Sequence, residues 1–265
     1  MKNDANMQSI EISRALESWY RGHGGTELFD KLRDRLQPLL DRAFGYHIMQ
    51  MGPLGAQSLI AGSPINHRIY VSEVSGNGST LRCHGSDLPL ESDSVDMLVA
   101  FHALEFDEHP HGVVREMQRV LRPHGHLIII GFNPHGLLGI SQYLRRMRRS
   151  SLWHQHRPVS TRRLSDWLRL VDCELESIHH LYPIPLIGRG RLRRAIGRID
   201  DWASRHGLPG GSVYIAHAMK QIGGMRRVPP LRERARRRLV GLAAVGSAAS
   251  TPRQPRDDSG SDVAA

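Results

Sequence analysis

The first part of the chain alternates apolar and charged positions with the period of an α-helix. This pattern predicts helices over residues 9–20 and 26–44, with Pro38 kinking or interrupting the second because proline has no backbone donor. The apolar positions of the second helix are Leu28, Phe29, Leu32, Leu36, Leu39 and Leu40. An amphipathic pair of this kind is suited to cover one face or edge of a sheet.

From Tyr46 onwards, short apolar runs separated by turn-forming residues replace the helical period. We predict strands over residues 46–51, 67–72, 80–84, 94–101 and 126–131. A helix over residues 110–121 lies between the last two strands. Arg122-Pro-His-Gly125 ends that helix, because proline cannot continue it and glycine permits a left-handed turn.

Strand, helix and strand in this order make two parallel strands, so the sequence predicts a doubly wound α/β sheet. The last run, 126–131, is almost wholly apolar, as expected of a strand covered on both faces. Ligands of such sheets bind at the carboxyl ends of the strands. The loops of interest follow Met51, Ser72, His84, Phe101 and Ile130.

The second half continues the α/β pattern and then loses it. We predict helices over residues 134–149, 160–170 and 191–205, and strands over residues 174–181 and 212–220. Ser160 or Thr161 begins the middle helix as its cap. Beyond Pro230, a short arginine-rich helix over residues 231–242 precedes a tail that is predicted to be disordered.

Charge divides the chain unequally. Residues 1–133 contain 12 Lys and Arg against 16 Asp and Glu, a net charge of −4, and residues 134–265 contain 24 against 10, a net charge of +14. Arginine clusters at 145–149, 189–198 and 226–238 carry this excess. A polyanion, such as RNA, an acidic protein or an anionic membrane surface, is the partner that such a region attracts, and a solvated cationic face is the alternative.

The chain lacks the sequence features of export. No run of eighteen apolar residues occurs, and residues 1–11 have no apolar signal core. Cys83 and Cys173 are the only cysteines, which favours reduced thiols over a disulfide framework. We expect a cytoplasmic protein without a transmembrane segment.

The stretch from Arg82 to Pro134 resembles a known family. Gly85-Ser-Asp-Leu-Pro-Leu-Glu-Ser-Asp-Ser-Val-Asp96 places an acidic residue before Leu-Pro and leads into a strand. The match continues through Phe101-His-Ala-Leu-Glu105 to Val114-Arg-Glu-Met-Gln-Arg-Val-Leu-Arg-Pro-His-Gly125. Together these segments resemble class I S-adenosylmethionine-dependent methyltransferases of the type 11 family.

Further segments, at 44–52, 131–139, 159–168 and 213–218, are similar to a bacterial branch of that family. The resemblance implies a Rossmann-like, mostly parallel sheet of seven strands with N-terminal helices and a basic C-terminal extension. With the residue pattern and composition of the two ends, it predicts an organisation into three parts. These are an N-terminal helical cap (1–43), a methyltransferase-like domain (44–222), and a basic segment with a disordered tail (223–265).

The resemblance assigns cofactor-binding roles to particular residues. In the family an aspartate before Leu-Pro accepts a hydrogen bond from the adenine amino group, and Asp87 matches it, with an Asx-type turn as the alternative. The Leu88 backbone amide would meet an adenine ring nitrogen. Glu73, which follows the second predicted strand, is the nearest match to the acidic residue that holds the ribose hydroxyls.

The loop after the first strand departs from the family pattern. In Gln50-Met-Gly-Pro-Leu-Gly55, Gln50 replaces the usual acidic residue and Gly52 alone aligns with the family's glycines. Glycine lets the backbone approach the methionyl part of the cofactor, and the Gln50 amide oxygen can accept from its ammonium group without supplying a charge. The alternative is a buried structural turn.

Phe101 and His102 follow the fourth strand, where the transferable methyl group faces its acceptor in the family. His102 is the candidate general base, with a polar residue that orients the loop as the alternative. Eight further histidines form four pairs without cysteine or carboxylate partners at metal-ligand spacing, so no metal is predicted. The pairs are His109 and His111, His124 and His126, His154 and His156, and His179 and His180.

Two functions are consistent with these features. The first is a methyltransferase that uses S-adenosyl-L-methionine to methylate an unidentified acceptor, and the intact Asp87-Leu-Pro segment favours it. The second is a catalytically inactive methyltransferase-fold binding module that contacts RNA, an anionic membrane surface or an acidic partner through its arginine-rich half. The altered loop over residues 50–55 favours this second function. We predict the enzyme.

Overall fold

The computed structural model of the chain describes residues 2–52, 58–73, 78–134, 156–181 and 211–222. They all belong to one compact unit, Met1–Arg226. The helices of the described residues are α1 (Lys2–Arg21), α2 (His23–Leu40), α3 (Pro110–Val120) and α4 (Thr161–Leu170). The strands are β1 (His47–Met51), β2 (His67–Ser72), β3 (Leu81–Arg82), β4 (Val95–Phe101), β5 (Leu121–Phe132), β6 (Cys173–Leu181) and β7 (Val213–Lys220).

The strands form one seven-stranded sheet in the order β3-β2-β1-β4-β5-β7-β6. Strands β1 to β5 run parallel to one another, and β7 runs antiparallel to both β5 and β6. The predicted mostly parallel α/β sheet of seven strands is confirmed. The strand order reverses between β1 and β4, and the carboxyl ends of these two strands are therefore where a ligand is expected.

Each face of the sheet is covered by the amphipathic helices that the sequence predicts. The buried side chains of α2 recur every four residues, at Leu28, Leu32, Leu36 and Leu40. They share a cluster with α1 and with one face of β1, β4, β5 and β7, while α3 and α4 pack on the opposite face. Pro38 lies inside α2, which continues to Leu40.

The end of α3 differs from the prediction. The helix stops at Val120, and residues 121–125 belong to β5 instead of a separate turn. Leu121 already pairs with Val95, and the register shifts before His126 pairs with Met97. The backbone is left-handed at His124 (φ 63°), within the stretch where the register shifts. The sequence analysis expected this conformation of Gly125.

Several predictions fall on other parts of the chain. The helices expected over residues 134–149 and 191–205, the arginine-rich helix over 231–242 and the tail lie outside the described residues. The limits of the helical cap and of the basic segment remain predictions. None of the described helices is long and apolar enough to cross a membrane.

The end of the last strand is fixed by a buried lysine. Lys220 Nζ donates to the carbonyl oxygens of Gln118 and Leu121 (both 2.8 Å) and to Asp93 Oδ1 (2.7 Å). The two carbonyls belong to the last turn of α3 and the residue after it, where a cation is favoured by the helix dipole. Lys220 therefore joins β7 to the α3–β5 corner.

Of the two predicted caps of α4, Ser160 and Thr161, the structure shows Ser160, since its hydroxyl accepts from the Arg163 amide (3.3 Å). We expect Ser160→Ala to lower the free energy of unfolding by about 1 kcal/mol, because an amide in the first turn loses its acceptor. Ser165→Ala in the same helix is the control and should leave stability unchanged or slightly raised, since alanine is a strong helix former. Urea denaturation measures both, and equal effects would contradict the capping role.

Candidate functional site

The carboxyl ends of β1 and β4 lie in direct contact. Gly52, the residue after β1, has φ +145°, and a Cβ atom there would collide with the Phe101 carbonyl oxygen at the end of β4. Its amide donates to Val71 O on β2 (3.2 Å). A glycine is therefore required where β1, β2 and β4 end together. Residues 53–57, which complete the predicted glycine-rich loop, lie outside the described residues.

Gln50 points into the protein interior. Its side chain is buried, and Oε1 accepts from the Leu59 amide (2.8 Å). The oxygen that the sequence offered to the cofactor's ammonium group is thus used to hold the segment after the loop. In this arrangement the buried Gln50 side chain holds the segment after the loop in place by a hydrogen bond.

Glu73 lies at the end of β2 beside two residues that the sequence analysis did not select. His84 Nε2 is 3.3 Å from Glu73 Oε1 and 3.7 Å from Asp107 Oδ2. Ligand-type atoms of the three residues all lie within 4.8 Å of one another. On the other side of the ring, His84 Nδ1 lies 2.8 Å from the Ser86 hydroxyl oxygen and 3.3 Å from the Ser86 amide nitrogen. The three side chains therefore form one polar cluster near the end of β2.

Asp87 and Leu88 sit in a turn that Arg119 fixes. Arg119 donates to the carbonyl oxygens of Leu88 (2.8 Å) and Leu90 (2.9 Å) and pairs with Glu116 (2.8 Å). The hydrogen bond from Arg119 lowers the pKa of Glu116. The Leu88 amide, predicted to meet adenine, donates to Glu116 Oε2 (3.2 Å). Asp87 itself is exposed in this turn. Burial, followed by the charges of Asp87 and Glu73, raises the pKa of Cys83 to about 11, so both carboxylates lie near that thiol.

His102 is the centre of a buried polar network. Its Nε2 is 2.6 Å from the Tyr20 hydroxyl of α1, and its Nδ1 is 2.8 Å from Glu105 Oε2. The ring stacks on Phe132 at the end of β5, with centroids 4.2 Å apart. Tyr20, His102 and Glu105 are each at most 1% exposed. His102 also has φ +51°, a left-handed conformation that is costly for a residue with a side chain.

Glu105 is ionised inside this network. Burial alone would raise its pKa, but the charges and hydrogen bonds of His102 and His156 outweigh burial and lower the pKa to about 2. His156 Nε2 lies 3.4 Å from Oε2, and the Phe132 amide donates to Oε1. Glu105 thus joins the loop after β4 to the end of β5 and to the segment that leads into α4.

Tyr214 of β7 brings a second buried hydroxyl to the same place. A side chain at position 131 would collide with both Tyr214 Oη and Glu105 Oε1, so the two groups face each other across Gly131. Burial and the charge of Glu105 raise the pKa of Tyr214 well above its usual range. Its hydroxyl finds no hydrogen-bond partner among the described residues.

The structure thus divides the predicted site residues between two places. Glu73, Asp87 and Leu88 lie around the ends of β2 and β3, and Gly52, Phe101 and His102 lie where β1 and β4 end. The sequence analysis missed Tyr20, Glu105, His156 and Tyr214. The signal for Glu105 was a lone carboxylate in an otherwise apolar run, Ala103-Leu-Glu-Phe106.

Comparison with known proteins identifies the central part of the chain. Residues 63–129 match the type 11 family, which is described as a methyltransferase domain. A relative, the uncharacterized protein YafS of Escherichia coli (strain K12), is 29% identical over 160 residues, which are 60% of this chain and 66% of that protein. The aligned part therefore spans just under two thirds of the relative's length.

Solved methyltransferases share the fold. A SAM-dependent methyltransferase from Thermotoga maritima is 18% identical with a TM-score of 0.53, covering 73% of this chain and 89% of the other. A SAM-dependent methyltransferase from Archaeoglobus fulgidus is 16% identical with a TM-score of 0.52, covering 77% and 97%. A geranyl diphosphate methyltransferase solved with GPP and sinefungin is 16% identical with a TM-score of 0.51, covering 74% and 78%. At these identities the likeness concerns the fold.

Proposed function

We propose that this chain, a class I methyltransferase of the type 11 family by its matched domain and its fold, binds S-adenosylmethionine and transfers the methyl group to a nucleophilic acceptor. The observation that carries the proposal is the meeting of β1, β2 and β4 at Gly52, at the reversal of strand order and within a methyltransferase sheet. The arginine-rich segments that suggested a polyanion partner lie outside the described residues.

Two carboxylates are the groups that suit the nucleoside end of the cofactor. Glu73 follows β2 and is half-buried, so its oxygens can accept from ribose hydroxyls when His84 releases them. Asp87 is exposed on the turn that Arg119 fixes, and can accept from an adenine amine. The Leu88 amide would have to exchange Glu116 for the adenine ring.

The methionyl end is held differently from the family pattern. Gln50 Oε1 is engaged by the Leu59 amide, so we do not assign it to the cofactor's ammonium group. Backbone groups near Gly52 are the remaining candidates at this end, because Gly52 has no side chain that would cover them. When bound, the cofactor supplies an electrophilic methyl group, and the chain supplies position and a place for any proton that is released.

Calorimetric titration of the full chain with S-adenosylmethionine and S-adenosylhomocysteine tests this proposal. We expect micromolar binding by the wild type, and Asp87→Ala should weaken it about tenfold through the loss of one hydrogen bond to a charged acceptor. Glu91→Ala removes an exposed carboxylate four positions along the chain and is the matched control, with unchanged affinity expected.

The two parts of the proposal can fail separately. If the wild type does not bind either compound at millimolar concentration, the methyltransferase function is rejected. If the wild type binds and Asp87→Ala binds equally well, the function stands and the adenine site must lie elsewhere.

A further inference from the structure

Three loops at the carboxyl edge of the sheet bring one imidazole and two carboxylates together. Glu73 follows β2, His84 lies two positions after β3, and Asp107 lies between β4 and α3. These strands are parallel, so the loops after them meet at the same edge of the sheet. Imidazole nitrogen and carboxylate oxygen are both ligands of divalent transition metals. The cluster therefore offers three metal-ligand atoms from three separate parts of the chain.

The distances within this cluster match a metal coordination sphere better than they match hydrogen bonds. His84 Nε2 is 3.3 Å from Glu73 Oε1 and 3.7 Å from Asp107 Oδ2. Hydrogen bonds from nitrogen to oxygen span about 2.7–3.2 Å, which is shorter than either distance. Zinc binds nitrogen and oxygen at about 2.0–2.2 Å, so two ligand atoms of a tetrahedral site lie about 3.3–3.6 Å apart. All three ligand atoms lie within 4.8 Å of one another, and the more exposed side chains, His84 and Glu73, can close around one cation.

Asp107 is the buried member of the cluster. Its side chain is only 5% exposed, and Oδ1 accepts from the His109 amide (2.6 Å), which fixes the direction of the carboxylate. Among the described residues, no hydrogen bond reaches the other oxygen, Oδ2, which lies on the side of His84. A buried carboxylate oxygen without a donor is costly, and a bound cation would remove that cost.

Ser86 is suited to orient the His84 ring for a metal. His84 Nδ1 lies 2.8 Å from the Ser86 hydroxyl oxygen, which can accept its proton. In that tautomer Nε2 carries the lone pair, close to both carboxylates. Metal-binding histidines are held in the same way, by a hydrogen bond from the second ring nitrogen that fixes the tautomer.

We propose that Glu73, His84 and Asp107 bind a divalent transition metal of the zinc class, with a fourth coordination position open to water or a further ligand. The sequence analysis predicted no metal, because ligands on three separate loops leave no characteristic spacing along the chain. This inference goes beyond the proposed function and does not rest on it. Because Glu73 is also the carboxylate proposed for the ribose hydroxyls, the metal and S-adenosylmethionine should compete for it.

An ion pair between a protonated His84 and the two carboxylates is the competing explanation. A protonated imidazole has no lone pair, and such a cluster needs no metal. Calorimetric titration of the full chain with zinc chloride, after treatment with a chelator, separates the two explanations. We expect one zinc ion to bind at the cluster, and magnesium chloride to bind far more weakly, because magnesium requires octahedral oxygen ligands.

Variants of the cluster locate the zinc ion. His84→Ala and Asp107→Asn should each weaken its binding by about 100-fold or more, since even the loss of an outer partner of a ligand costs about 10–100-fold. Ser86→Ala removes only such a partner and should weaken binding about tenfold. Asp107→Asn keeps the size of the side chain and an acceptor for the His109 amide, so the fold is preserved.

His67→Ala is the matched control, because His67 belongs to the other place that suits a transition metal. Its Nδ1 lies 2.7 Å from His47 Nδ1 on the neighbouring strand. We expect His67→Ala to retain the zinc ion that His84→Ala loses. No zinc binding at millimolar concentration, or equal binding by all variants, would overturn the proposal. Loss in His67→Ala with retention in His84→Ala would also overturn it and would assign the metal to the histidine pair.

A last titration connects the metal to the cofactor. Saturating zinc should weaken the binding of S-adenosylmethionine about tenfold, because Glu73 would no longer accept from the ribose. Asp107→Asn should abolish this effect of zinc. Unchanged cofactor affinity in the presence of bound zinc would reject the shared use of Glu73. If the wild type binds zinc but not S-adenosylmethionine, the proposed function fails and the metal site stands.

Discussion

Replacing Glu105 by leucine should lower the free energy of unfolding by about 3–5 kcal/mol, the cost of removing one partner from a buried charged group. The carboxylate accepts from His102 Nδ1 and from the Phe132 amide, and it lies beside His156. Leucine has a similar volume but no acceptor, so these groups would be left buried and unsatisfied. The loop after β4 and the end of β5 would lose their common attachment.

Denaturant unfolding followed by tryptophan fluorescence measures this loss. Glu108→Leu changes the same residue type three positions away, at an exposed site, and should alter stability by less than about 0.5 kcal/mol. Glu105→Gln keeps one acceptor oxygen and should fall between the two. A loss below 1 kcal/mol for Glu105→Leu would show that the network contributes little to the fold.

The same residue predicts how stability depends on acid. The pKa of Glu105 is lowered from 4.5 to about 2 in the folded chain, so the unfolded chain binds its proton more readily. The stability that this group contributes is therefore complete above pH 4.5 and is lost as the pH falls towards 2. In Glu105→Gln this part of the acid dependence should disappear, which a comparison of unfolding midpoints between pH 5 and pH 2.5 would reveal.

Gly52→Ala is the second substitution for which we expect a large effect. The new Cβ would meet the Phe101 carbonyl oxygen, which is part of the backbone and cannot rotate away, and the residue would keep a positive φ. Overpacking and the unfavourable conformation together should cost about 2–5 kcal/mol. Because the ends of β1 and β4 would separate, cofactor affinity should fall as well.

Gly112→Ala provides the matched control for this substitution. Gly112 lies in α3, where a Cβ would meet only the Ser86 side chain, at 3.3 Å, and alanine favours the helix. Its stability should change by less than about 1 kcal/mol. If Gly52→Ala were as well tolerated as Gly112→Ala, both in unfolding and in calorimetric titration, the close contact of β1 with β4 would not be needed.

The sequence was sufficient to predict the sheet because its strands and helices have clear periods. β2 was predicted to the residue, and the start of α4 was predicted at Ser160 or Thr161, since each element is bounded by residues with a strong local preference. The strand pairing of residues 121–125 was missed, because Pro123 and Gly125 are typical of a turn. Pairing with β4, which no local pattern records, overrides that preference there.

The polar network could not be predicted for a related reason. In the sequence, Tyr20 occupies one of the apolar positions of an amphipathic helix, and His102 is an isolated histidine. Only the packing of α1 against the end of β4 brings their side chains to 2.6 Å. Contacts between residues far apart in sequence depend on the whole fold, whereas the Asp87-Leu-Pro segment could be recognised because it is continuous.

The antiparallel position of β7 has a consequence for the order in which the protein is made. A ribosome releases β1 to β5 first, yet β5 has its second neighbour only when Val213–Lys220 emerges and enters between β5 and β6. Lys220, the last residue of that strand, also donates hydrogen bonds to the carbonyl oxygens at the end of α3. Until then the nascent chain carries an open apolar strand edge, which is prone to aggregate. Termination before Lys220 is therefore expected to leave a product that cannot complete its sheet and that depends on chaperones.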